Sequence, residues 1–211
     1  MAAFLALLAL SSGLKTIGGP MWLRLPEYWI YPLQTVICGS LVFWYRREFD
    51  WSWPRRTWFA IGVGILVFVI WISPQTWFGV VPRNNGFDPD HFRTAPALYL
   101  GTVGLRFARL VLVVPLVEEI FWRSFLLRYF VREPFDRVPF GTFTWPSFAV
   151  VTIAFMLSHS PADWPAALAC GALYNCTAYV TKTLSACVIA HATTNLLLGI
   201  WIMNTRQWGF W

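Results

Sequence analysis

The stretch PALYLGTVGLRFARLVLVVPLVEEIFWRSFLLRYF, residues 96–130, decides the fold class. It is apolar along most of its length, yet it holds Arg106, Arg109, Glu118, Glu119 and Arg123. Some 35 residues rising about 1.5 Å each exceed the roughly 30 Å hydrocarbon core of a bilayer. The stretch therefore reads as one membrane helix that tilts, protrudes or bends near Pro115. Each charge at membrane depth costs several kcal/mol unless it is paired or wetted, so this helix carries a candidate site as well as a span.

The rest of the chain agrees with a bilayer as solvent. Of 211 residues, 57% are hydrophobic, 18% aromatic and only 12% charged, and the mean hydropathy is +0.55. Soluble domains carry about 25% charged residues, which excludes an ordinary soluble globule. Further apolar runs at 1–18, 27–45, 57–81, 147–160, 164–181 and 183–203 bring the expectation to about seven spans, within a range of about six to eight. The expected architecture is an all-α polytopic membrane protein, one bundle with an intramembrane cavity. The chain reads as a single membrane domain over 1–211, with its motif-bearing core at about 96–203. The first run lacks a positively charged start, so it reads as a short membrane helix and not as a cleaved signal.

A net charge of +6 raises nucleic acid as a partner, but the basic residues are dispersed among apolar runs and form no tract, which argues against it. They fit the positive-inside bias instead. Arg46, Arg47, Arg55, Arg56, Arg128, Arg132, Arg137 and Lys182 fall on one side, taken as cytoplasmic, against Lys15, Arg24, Arg83, Arg93 and Arg206 on the other. The four cysteines, Cys38, Cys170, Cys176 and Cys187, lie in apolar stretches without CxxC spacing and read as small core residues.

At 100° per residue, Glu119 and Arg123 share a helix face while Glu118 lies about 140° from Arg123. Two adjacent carboxylates in low dielectric do not both ionise cheaply. Arg123 is thus expected to hold one as the anion and to leave the other for proton transfer. A buried structural ion pair is the plainer reading of these three residues alone. Two more i,i+4 pairs weigh against it: Phe155 with His159, and His191 with Asn195. Two of only three histidines, a Glu pair and a helical Asn, all within lipid, exceed what packing asks for.

Glu118-Glu119-Ile-Phe-Trp-Arg123, Phe155-Met-Leu-Ser-His159 and His191-Ala-Thr-Thr-Asn195 resemble, in this order, the EExxxR, FxxxH and HxxxN motifs of the CAAX protease and bacteriocin-processing family (CPBP, or Abi) of intramembrane glutamic endopeptidases. The likeness covers about residues 110–200. With YPLQT at 31–35, GTFTW at 141–145 and AHATTNLLLGIWI at 190–202, the chain looks like the exosortase-associated, CAAX prenyl protease-related subgroup of bacteria. The resemblance implies that Glu118 and His159 activate a water and that His191 and Asn195 stabilise an oxyanion, with Glu119 and Arg123 as the supporting pair. It implies a membrane-associated protein or peptide substrate, a bacterial inner-membrane location and an exosortase-linked pathway.

The chemistry is coherent on its own terms, since a carboxylate–imidazole pair can take a proton from water and return it to the leaving amine. No cofactor is expected. A zinc-dependent membrane metalloprotease is the alternative, because Glu and His are zinc ligands, but HExxH is absent and Arg123 is a poor neighbour for a dication. A serine scheme resting on Ser158 or Ser160 and a silent membrane scaffold or transporter are further alternatives; no repeated pair of broken helices supports transport. Arg106, Arg109, Phe155 and Trp122 are candidates for substrate or lipid contact, although the two arginines also suit snorkelling to an interface. Asp163, beyond Pro161, either orients His159 or sits in a wet turn.

Overall fold

The computed structural model describes residues 1–17, 19–54 and 56–211; Arg55, counted above in the basic loop, lies outside the described residues. The protein is all-α, with no strand among those residues. A helix occupies each of the seven apolar stretches. These are α1 (Ala2–Ile17), α2 (Glu27–Trp44), α3 (Thr57–Trp77), α4 (Pro96–Tyr129), α5 (Trp145–Leu157), α6 (Trp164–Thr181) and α7 (Leu184–Thr205). By length and composition α3, α4 and α7 are fit to cross a membrane, and α1 and α5 are shorter apolar helices. Large apolar side chains lie bare on the surface, among them Trp58 at 84% and Trp53 at 83% exposure. Such a surface suits lipid, and the chain is an integral membrane protein.

Helix starts follow local chemistry. The Thr144 hydroxyl accepts from the Ser147 amide at the head of α5, where Pro146 sits in the first turn and loses nothing by lacking an N–H. α6 stops at Lys182, which adopts the left-handed conformation (φ 57°).

The 34 residues of α4 are continuous, and two π-helical stretches, Arg109–Val113 and Ile120–Leu126, lie on either side of Pro115. The Val114 amide reaches back five residues to the Arg109 carbonyl, and the Leu127 amide five residues to that of Trp122. Proline removes one backbone donor and presses on the carbonyl four residues before it, so a widened turn beside Pro115 relieves the strain without ending the helix.

The chain divides into two compact units. The first comprises Met1–Glu48, Pro82–Val117 and Gly199–Trp211. In it α1 and the head of α4 pack on α2, and Phe4, Cys38, Val113, Val114 and Val117 form the core. The buried Gln34 amide donates to the Phe4 carbonyl (2.8 Å). The second comprises Phe49–Val81 and Glu118–Leu198. Here α6 packs on α5 and on α3. Gly64 permits a tight α3–α7 crossing, since a Cβ there would collide with the Ala190 carbonyl and the Thr193 side chain. Three cysteines are buried, but Cys176 is exposed on α6, so the reading of all four as core residues is corrected at that position.

Candidate active site

Every residue of the three motifs belongs to the second unit. Glu119 and Arg123 are both fully buried, and Arg123 Nη1 donates to Glu119 Oε1 (3.1 Å). This is the pairing the spacing predicts. It survives the π-helical stretch that begins at Ile120, although the wider turn means that the angle expected between Glu118 and Arg123 does not apply there. Arg123 Nη2 donates to the Gly171 carbonyl (3.3 Å), and its guanidinium lies over the rings of Phe155 (5.0 Å) and Tyr174 (5.3 Å). Glu118 is half-buried, and among the described residues no hydrogen bond or ion pair engages its carboxylate.

His191 Nδ1 lies 2.8 Å from the same Glu119 Oε1. One buried carboxylate oxygen thus joins the first motif to the third. An ionised carboxylate only accepts, so Nδ1 carries the proton and the Nε2 edge is left for other work. The His191 ring stacks on Tyr174 (5.2 Å between centroids). The Tyr174 hydroxyl donates to Thr194 Oγ1 (2.7 Å), which donates to the Gly64 carbonyl (2.8 Å). This chain fixes the rotation of α7 and with it the placement of buried Asn195, one turn after His191.

His159 follows the end of α5 and is half-buried. Its Nδ1 sits 2.8 Å from the Phe155 carbonyl, an obligate acceptor, which places the proton on Nδ1 and leaves Nε2 as a bare base. The ring packs against Phe155 (4.7 Å) and Trp71 (5.5 Å), and Phe155 meets Trp122 edge-on (5.5 Å). Phe155 and Trp122 are themselves buried, and within the protein they serve as the wall against which Arg123 and His159 are set. Ser160 Oγ donates to Asp163 Oδ2 (2.7 Å) in the turn after His159, and Ser158 Oγ donates to the Phe155 carbonyl (2.7 Å).

Arg106 and Arg109 belong to the first unit and do not reach to a surface. Arg106 is 3% exposed, with its guanidinium over the rings of Tyr31 (4.3 Å), Phe87 (5.1 Å) and Trp211 (5.5 Å). Arg109 Nε donates to Gln34 Oε1 (2.5 Å) and its guanidinium lies over Tyr31 (4.4 Å). Aromatic faces and an amide take the place that snorkelling assigns to lipid headgroups.

Sequence reasoning missed Tyr174, Thr194, Gly171, Gly64 and Trp71. Their contacts join residues far apart in the chain, and no local spacing announces them. Among the described residues no three His, Cys, Asp or Glu side chains gather as a metal site would require.

An all-α integral membrane protein that buries a Glu–Arg–His cluster defines a narrow class. Residues 100–197 match the family model described as Type II CAAX prenyl endopeptidase Rce1-like. The likeness indicates a peptidase and, in general terms, a membrane-associated peptide as its substrate. No curated protein and no solved structure matches the chain.

Proposed function

We propose that the protein is an intramembrane glutamic endopeptidase that cleaves membrane-associated proteins or peptides with a water activated by Glu118 and His159. The observation that carries this reading is the Nδ1 contact of His159 with the Phe155 carbonyl, which leaves Nε2 bare, beside a motif helix whose Glu118 carboxylate is uncommitted while Glu119 Oε1 is held by both Arg123 and His191. The water oxygen attacks the scissile carbonyl carbon as its proton passes to the Glu118–His159 pair. That proton then goes to the leaving amine as the C–N bond breaks, giving one carboxylate and one amine.

His191 and Asn195 would face the oxyanion. With Nδ1–H given to Glu119, His191 presents its Nε2 edge and donates there only when both ring nitrogens carry protons. Each such donor is worth roughly 2.7–4 kcal/mol at other oxyanion holes. Glu119 and Arg123 act as positioning residues. No metal or other cofactor is needed in this scheme.

The catalytic core is the motif-bearing part at about 96–203. The basic residues at 46–56 and 128–137 set a cytoplasmic side, and we place the site about halfway into that leaflet. The peptide to be cut must be extended there, since a helical one already satisfies its backbone groups. The likeness to the exosortase-associated subgroup supports a bacterial inner membrane and an exosortase-linked substrate. The test is cleavage of membrane-anchored peptides by full-length protein in vesicles. Wild type should cut, and His159→Ala and Asn195→Ala should lose most of the activity while unfolding at wild-type temperature. Undiminished cutting by His159→Ala would remove the water-activating role.

A further inference from the structure

At the junction of α6 with α7, the second unit holds a cavity of about 500 Å³ lined by Ser52, Trp53, Arg56, Thr181, Lys182 and Thr183, with Val180 beside them. Ligand pockets commonly enclose about 300–1,000 Å³. Among the described residues its charged lining is basic, Arg56 and Lys182. Arg56 Nη1 donates to the Val180 carbonyl (3.1 Å) and Lys182 Nζ to that of Gly141 (2.5 Å). A guanidinium has five N–H donors and an ammonium three, so both keep donors to spare after these bonds. The contacts hold the two cations at the cavity and do not neutralise them. The Thr183 hydroxyl is buried without a partner.

The surroundings say at what depth this lies. Trp53 in the wall is 83% exposed, and Trp58 and Phe59, in the first turn of the membrane helix α3, are also bare. Exposed tryptophans beside paired cations at the end of a span are the composition of a membrane–water interface, where headgroup phosphates lie. We propose that this cavity seats the phosphate of an anionic phospholipid headgroup, with Arg56 and Lys182 as its charge partners and the Thr181 and Thr183 hydroxyls at its edge. The adjacent tryptophans flank the acyl chains. The site is independent of the peptidase reading, because none of its residues belongs to the three motifs.

The test is a titration of full-length protein in detergent with short-chain phosphatidylglycerol, short-chain phosphatidylcholine and inorganic phosphate. Wild type should bind phosphatidylglycerol about tenfold or more tightly than Arg56→Gln or Lys182→Asn, since each loses a hydrogen bond to a charged group. Asn tolerates the left-handed backbone at position 182, so that variant should stay folded. Arg132→Gln, an exposed arginine of the same unit outside the cavity lining, should bind as wild type, and Arg56→Lys should recover part of the affinity. Equal affinity for phosphatidylcholine, or variants that bind phosphatidylglycerol like wild type, overturns the proposal. Binding of inorganic phosphate without the lipid moves the source to a free anion and likewise overturns it.

Discussion

His191 Nδ1 and Glu119 Oε1 are 2.8 Å apart across 72 positions of sequence, and that one contact sets the tautomer of the imidazole. Because Arg123 shares the same oxygen, the state of the cluster depends on three residues at once.

Removing one partner of such a cluster leaves a buried charge uncompensated. Arg123→Leu should cost about 3–5 kcal/mol of stability, and the double variant Glu119→Gln/Arg123→Leu should recover part of that loss. Thermal unfolding in detergent reads this, and additive losses in the double variant would show that the pair is not coupled.

The Tyr174–Thr194–Gly64 chain fixes α7. Thr194→Val forfeits the bond to Gly64 and leaves Tyr174 without its acceptor, and should destabilise by about 1–3 kcal/mol. Gly64→Val should cost at least as much, because its Cβ has no room beneath Ala190. If both variants unfold at the wild-type temperature, the crossing does not hold α7 in place.

An oxyanion donor acts on the chemical step and not on folding. His191→Gln should lower kcat by about 10²–10³-fold while the protein unfolds near the wild-type temperature. Turnover by His191→Gln at the wild-type rate would remove the donor role.

The charge bias sets sidedness. Cysteines introduced at Arg132 and Arg137 in a cysteine-free background should resist an impermeant thiol reagent in intact cells, whereas one at Arg93 should react. The reverse pattern inverts the protein.

What the sequence makes legible follows from how far apart the interacting residues lie. The Glu119–Arg123 pair is one helical turn, and the seven apolar runs are local patterns, so all are readable from spacing. The link from Glu119 to His191, the ring of Tyr174 under it and the Gly64 crossing need the tertiary fold. Pro115 signals a disturbance, but the π-helical form depends on packing around α4. Arg106 and Arg109 suit snorkelling by sequence because nothing local shows that Tyr31, Phe87 and Trp211 lie against them. Arg128 likewise counts in the sequence as interfacial charge. In the structure it donates to the carbonyls of Ser124, Asp136 and Val138 and ties down the loop after α4.

Peptide cleavage that depends on Glu118 is read most directly by comparing membrane-protein termini in cells that carry wild type, Glu118→Ala or no copy of the protein. New termini near membrane anchors should arise with wild type only, and Glu118→Ala should be indistinguishable from no copy despite equal abundance in the membrane. The same termini in all three, or in wild type and Glu118→Ala alike, would contradict Glu118-dependent cleavage.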